Sequence, residues 1–232
     1  MGFRFNLRAW LPASSQGMVC VAQQHSDLLG EVLPNKAIPA SIKRRASQLT
    51  RITIAAASGI LEAYPCDYII FASQHGELTR THKLLQELAQ HQQLSPTAFA
   101  QSVHSTAPGL LTISNNFKVP FTTISARKNT VHAALLEGLA RLNRHPKQSI
   151  IIIFADESIP EFYHPYIENH QQSLLILQLS HGDEWLMTIE QQQGSTKSED
   201  SLISQLTEGL LSKQSFSTIQ QGTVWLWTKH NA

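Results

Sequence analysis

Apolar and polar residues change rhythm several times along this chain, and each change predicts an element. Phe3, Phe5, Leu7 and Ala9 alternate with polar neighbours, the period of a half-buried strand. After a proline-punctuated stretch, Ser41 opens a long helical segment in which Leu49, Ile52, Ala56, Ile60 and Leu61 recur at helical spacing, and Pro65 ends it. The short apolar run at 67–73 (DYIIFAS) reads as a strand. Beyond Gly76 comes a helix expected to bury Leu78, Leu84, Leu85 and Leu88. Ser95 and Pro96 start a segment that reaches Gly109 and a second helix or turn.

Residues 119–125 are β-rich, and behind them lies the cleanest amphipathic helix, with Val131, Leu135, Leu139 and Leu142 on one face. Pro146 stops it, and 149–155 (SIIIIFA) reads as a strand buried on both faces. Such strands alternating with helices predict an α/β fold, a mostly parallel sheet covered by helices. The last third differs. Residues 173–180 and 185–190 read as paired strands, with His181, Gly182 and Asp183 a turn between them. A polar loop at 191–200, a helix at 202–211 and a terminal strand at 223–228 (TVWLWT) close the chain, which carries no internal repeat.

Composition narrows the function classes. A chain of 232 residues is one large domain, or a domain with a small appendage, and needs no staples to bury a core. Its net charge of +1 supplies no global field for nucleic acid or an acidic membrane. Two cysteines, Cys20 and Cys66, are too few for a disulfide framework and suit a reducing compartment as small buried residues. The N-terminal apolar residues are interrupted by Arg4, Asn6 and Arg8, unlike a signal peptide, and the longest strongly apolar run, at 150–155, is too short to span a bilayer. The expectation is a cytoplasmic, soluble protein.

Reactive groups in open α/β sheets sit at the carboxyl ends of strands, often where a strand turns sharply into a helix. The best such turn here reads Ser125, Ala126, Arg127, Lys128, with no nucleophile at its tip. Ser125 ends the strand before that tip. Ser73, two residues from His75, follows another buried strand without the G-x-S-x-G signature. A serine hydrolase or acyltransferase built on Ser73 or Ser125 is therefore a minor alternative to ordinary strand-end serines. Cys66 precedes its strand, at the opposite edge from such sites. The eleven histidines show no metal-ligand spacing, so neither metal nor cofactor is expected. Lys43, Arg44 and Arg45, with Arg51 two turns on, are expected on the polar face of one helix, a solvated face or a dock for an anionic partner.

Five pieces in order resemble the N-terminal half of β-ketoacyl synthases, and most closely the β-ketoacyl synthase-like chain length factors of aryl polyene biosynthesis. They are PASIKRRASQLTR at 39–51, FASQHGEL at 71–78, LSPTAFAQSVH at 94–104, PGLLTI at 108–113 and VHAALLEGLA at 131–140. The resemblance places Arg127 where ketosynthases carry their catalytic Cys, and Ser105 where relatives usually have Asn. After position 180 the chain is too short for the second half that supplies the catalytic histidines of a full ketosynthase.

The resemblance implies half of a thiolase-like fold, with a mixed sheet covered by helices over 1–180 and a divergent extension over 181–232. It also implies a non-catalytic subunit that pairs with a full-length β-ketoacyl synthase served by an acyl carrier protein, in polyene or related fatty acid–polyketide synthesis. Val119, Phe121, Thr123, Ser125 and Arg127 would lie at the dimer interface. Ala98, Phe99, Gln101 and Ser102 would gate the acyl pocket, against the plainer reading of Phe99 as core. Lys43, Arg44, Arg45 and Arg51 would form a carrier-protein docking patch. A purely stabilising scaffold is the other alternative.

Overall fold

The computed structural model describes residues 2–14, 17–18, 21–22, 38–167, 172–191 and 201–230. A single sheet organises them. Its path starts at β2 (Gly17–Met18) and β1 (Gly2–Ser14) and continues through β7 (Ser173–Gln191), β6 (Ser149–Asp156) and β4 (Tyr68–Ala72) to β5 (Phe121–Ile124). β3 (Val21–Ala22) pairs with β1, and the hairpin of β8 (Phe216–Gln220) and β9 (Thr223–Lys229) joins through β9 to β7.

The sheet is mixed. β4 pairs in parallel with both β5 and β6, whereas β6–β7, β1–β7 and β7–β9 are antiparallel. The mostly parallel sheet expected from the alternating elements is thus confined to three strands. An antiparallel half is added because β7 follows β6 through a short 3₁₀ turn (Glu161–Tyr166) and no long helical crossover.

Side chains of β6 show how the layers form. Ile150, Ile152 and Phe154 enter one core with α6 (Thr130–Arg144) and α7 (Leu202–Ser212). Ile151, Ile153 and Ala155 enter the other, beneath α2 (Gln48–Ala63) and α5 (Thr106–Asn115). Strict alternation in a strand that is apolar throughout is what a three-layer sandwich needs.

Three elements depart from expectation. The long helix opened by Ser41 is two helices, α1 (Ala40–Lys43) and α2, because Ser47 accepts the Thr50 amide (3.0 Å) and starts a new N-terminus. On α3 (Leu78–Ala89) only Leu84 is buried; Leu85 and Leu88 are 52% and 57% exposed. His181, Gly182 and Asp183 do not separate two strands. They lie in a bulge of β7, where Trp185 pairs with Phe5 and Ser180 with Asn6.

β7 therefore runs unbroken across position 180/181. Trp185, Trp225 and Trp227 share one core with Phe5 and Leu135, so the C-terminal segment is continuous with the main sheet. β8 has no counterpart in the sequence reading. Its signal was the two-residue loop Gln221 and Gly222, both at positive φ (49° and 77°), between two alternating runs. The polar loop at 191–200 lies outside the described residues except for its first position, as does Cys20.

Candidate functional site

The carboxyl ends of β4, β5 and β6 meet at one edge of the sheet, where α/β proteins place their chemistry. β6 ends in two consecutive buried carboxyls, Asp156 and Glu157, 5% and 4% exposed. Asp156 holds the turn after β4: its Oδ1 accepts from Ser73 Oγ (2.6 Å) and His75 N (3.0 Å), its Oδ2 from Gln74 N (3.2 Å). Glu157 accepts from Leu49 N (3.2 Å) and Thr79 N (3.3 Å), so one carboxylate caps the first turns of both α2 and α3. Glu77 completes the cluster, accepting from Ser47 Oγ (2.8 Å) and Thr50 Oγ1 (3.1 Å), with Arg80 Nε at 3.5 Å. Burial raises the pKa of Asp156 and of Glu77 against these bonds, and burial lowers that of His75 against the pull of Asp156.

This arrangement fixes backbone. Ser73 is fully buried, gives its hydroxyl proton to Asp156 and accepts from Gly76 N (2.8 Å), so its oxygen is engaged and closed to a substrate. Ser125 is exposed, but its Oγ donates to the carbonyl of Gln74 (3.2 Å), and no histidine among the described residues bonds it. Among the described residues neither has the base that would make it a nucleophile. Cys66 is no better, since burial pushes its thiol up to about 12. Among the described residues no three His, Cys, Asp or Glu side chains gather as a metal site.

The elbow between β5 and α6 keeps a special backbone. Arg127 has φ 53°, left-handed for a residue with a Cβ and costing about 1–2 kcal/mol. Thr130 straps the turn shut, accepting from Ala126 N (2.9 Å) and donating to the Arg127 carbonyl (2.6 Å), while Asn129 N bonds the Ala126 carbonyl (3.0 Å). A sharp strand-to-helix turn at positive φ is the geometry that presents a nucleophile in α/β enzymes; here it presents an exposed guanidinium.

Beside the elbow, β5 is an edge strand. Ile69 N bonds the Pro120 carbonyl and Ser73 N that of Ile124, which sets the phase of the pairing. Thr122 and Ile124 turn their backbone groups to β4, and Phe121 and Thr123 point theirs outward, where no described strand pairs. Phe121 and Val119 pack partly into the core under α2 and α5.

Of the residues expected to gate an acyl pocket, Ala98 and Phe99 lie in α4 (Pro96–Ala100), Gln101 caps it, and Ser102 follows with its Oγ on the Phe99 carbonyl (2.8 Å). Phe99 is 65% exposed, so it is no core residue of this subunit. Lys43, Arg44, Arg45 and Arg51 do not share a helix face. Arg44 and Arg45 occupy the turn between α1 and α2; Arg45 Nε bonds the Ser41 carbonyl (3.2 Å), and Arg51 bonds that of Lys43 (2.9 Å). Two of the four cations thus cap the end of α1.

The buried carboxyls and the strap of Thr130 were missed in the sequence. The first had a signal: two acids directly after SIIIIFA, at a strand's carboxyl end.

Among solved structures, the ketosynthase ApeO in complex with its chain length factor ApeC from Xenorhabdus doucetiae contains a chain that superposes with TM-score 0.80 at 23% identity, over 97% of this chain and 99% of that one. The ishigamide ketosynthase/chain length factor follows at TM-score 0.57 and 11% identity, over 91% and 73%. A β-ketoacyl synthase from Burkholderia phymatum gives 0.55 at 8%, over 90% and 69%. These likenesses show the thiolase-like ketosynthase fold. Among curated proteins none matches. The sequence model described as "Beta-ketoacyl synthase, N-terminal domain" matches residues 13–228. With its elbow, its edge strand and nearly its whole length accounted for, the chain belongs to the β-ketoacyl synthase N-terminal domain family.

Proposed function

We propose that this chain is a non-catalytic chain length factor: it pairs with a full-length β-ketoacyl synthase and shapes the acyl pocket that limits product length. One observation carries the reading. The elbow has a positive-φ backbone at Arg127 but no nucleophile, and it stands beside an edge strand whose outward groups meet no described strand. An open strand edge is an association template. The partner's strand would add along Phe121 and Thr123, and the exposed Leu85, Leu88, Phe99 and Val103 of α3, α4 and the segment after α4 would be covered with it. That the most similar complex described above holds a chain of almost equal length supports a subunit of this size.

In this reading the partner's nucleophile carries the chain delivered by an acyl carrier protein. Phe99, with Ala98, Gln101 and Ser102, bounds the space for its tail. Added bulk in a filled apolar tunnel costs about 1–3 kcal/mol, and 1.4 kcal/mol is tenfold in the partition between extension and release. Arg127 sits at the interface, and Lys43, Arg44 and Arg45 offer cations to the acidic carrier. The setting is cytoplasmic polyene, aryl polyene or related fatty acid–polyketide synthesis. No described helix is long and apolar enough to cross a membrane.

Co-expression with the ketosynthase of the same genome tests the proposal. A stoichiometric complex is expected, with product length changed when this subunit is omitted or when Phe99 is replaced by Ala or Trp. A stable monomer with condensing activity of its own would refute it. If Phe99 variants alter complex yield and leave product length unchanged, the subunit is a stabilising scaffold.

A further inference from the structure

Three segments that are distant in sequence converge on the turn after β4. Ser73 Oγ is held by Asp156 of β6, and the Gln74 carbonyl accepts Ser125 Oγ from the elbow strand. From the other side comes His104, which closes the segment after α4: its Nε2 lies 3.1 Å from the Ser73 carbonyl, so Nε2 carries the proton and donates. Its ring also covers Gly76. That glycine sits at φ +58°, and a Cβ there would overlap the His104 ring, so backbone and imidazole are in direct contact. Apart from His104, the described hydrogen bonds of 99–104 are local, and α4 packs on α3. Phe99 and Val103 are exposed, and Ser102 bonds only within the segment.

We propose that His104 is the positioning residue of the chain-length element: by donating to the Ser73 carbonyl and stacking over Gly76, it sets where Phe99 stands relative to the elbow. The proposal rests on the chain length factor reading for what Phe99 does. The tether itself is a property of this chain alone. The Ser73–Asp156 bond makes it rigid, because the carbonyl that receives His104 belongs to a residue pinned by its own side chain.

Two measurements test it. In the isolated chain, backbone amides of 99–104 should exchange with deuterium about tenfold faster in His104→Ala. They should exchange as in the parent in His104→Gln, whose amide N–H reaches a similar distance. Gly76→Ala should reproduce the His104→Ala effect by displacing the ring, and the double variant should add little to either. In the complex with the ketosynthase, His104→Ala should move product length in the same direction as Phe99→Ala, with His104→Gln restoring the parent distribution.

Unchanged exchange in His104→Ala overturns the tether. A length shift in Phe99→Ala without one in His104→Ala, complex formation being equal, overturns the positioning role and leaves the proposed function standing. Faster exchange together with a Phe99→Ala variant of unchanged product length refutes the functional reading on which the role depends. Should His104→Ala fail to fold, Gly76→Ala and His104→Gln carry the same comparison.

Discussion

At β8 the outward N–H of Ile219 is taken by Gln205 Oε1 of α7 (2.9 Å), and Thr218 Oγ1 bonds His132 Nε2 (3.2 Å) on α6. His132 in turn lies flat on Trp225, ring centroids 4.0 Å apart. At β5, the strand at the far end of the sheet, the outward groups of Phe121 and Thr123 meet no described strand, and all four residues of the strand stay half-buried. One edge is closed by helices and side chains of its own chain; the other is left as a template. A fold that closes one edge so thoroughly has the means to close both. The open edge lies next to an elbow that keeps its special backbone, and the proposed partner would add there.

The contrast is broken most severely by removing what seals the closed side. Trp227→Ala empties a site packed between Phe5, Trp185 and Phe216, and should cost about 3–5 kcal/mol in chemical denaturation. A loss under about 1 kcal/mol would mean that the hairpin is an appendage. Next comes acid. Burial lowers the pKa of His132 from 6.5 to about 3, so the native state binds its proton less readily than the unfolded chain. Stability from this group is complete above the unfolded value and falls as pH drops through that window. At pH 5 the loss is about 2 kcal/mol, and the difference between the parent and His132→Gln isolates it. Parallel pH curves for the two proteins would place His132 in solvent.

Much of this architecture was legible. The buried strand at 149–155 and the helix carrying Val131, Leu135, Leu139 and Leu142 stand where periodicity put them, because apolar runs buried on both faces permit few alternatives. The exposed Leu85 and Leu88 were misread as core by the same rule: helical spacing marks an apolar face but does not say whether that face meets its own sheet. Arg127 could be placed at an elbow from the sequence, but its left-handed φ could not, since nothing in its side chain demands it. The Asp156 and Glu157 staples depend on contacts across about 80 to 108 positions, beyond the reach of any local pattern.

At the open edge, Thr123→Pro removes an N–H that no bond among the described residues uses. It should change the stability of the isolated chain by about 1 kcal/mol or less while weakening the ketosynthase complex at least about tenfold, 1.4 kcal/mol. Gln205→Ala is the mirror experiment. It orphans the Ile219 N–H at a cost of about 1 kcal/mol in the isolated chain and leaves the complex unaffected. Pull-down and denaturation on both variants check the pair, and equal effects on complex formation would erase the distinction between the edges.

The smallest expected effect lies where α2 and α3 begin and has the opposite pH sign to His132. Glu77 is 2% exposed, and burial raises its carboxyl pKa, so the native state holds the proton more firmly than the unfolded chain does. Stability from this group is complete below the ordinary carboxylate range and declines as pH rises through the raised value. Ser47, Thr50 and Arg80 favour the ionised form and oppose the desolvation, while the neighbouring Glu157 adds to it. Glu77→Gln keeps an acceptor for Ser47 and Thr50 and has nothing to titrate. Denaturation midpoints from pH 4 to 8 should therefore fall slightly in the parent relative to the variant, just above the ordinary carboxylate range. A midpoint that rises with pH in the parent relative to Glu77→Gln would mean that Arg80 outweighs burial and that Glu77 and Arg80 form an ion pair.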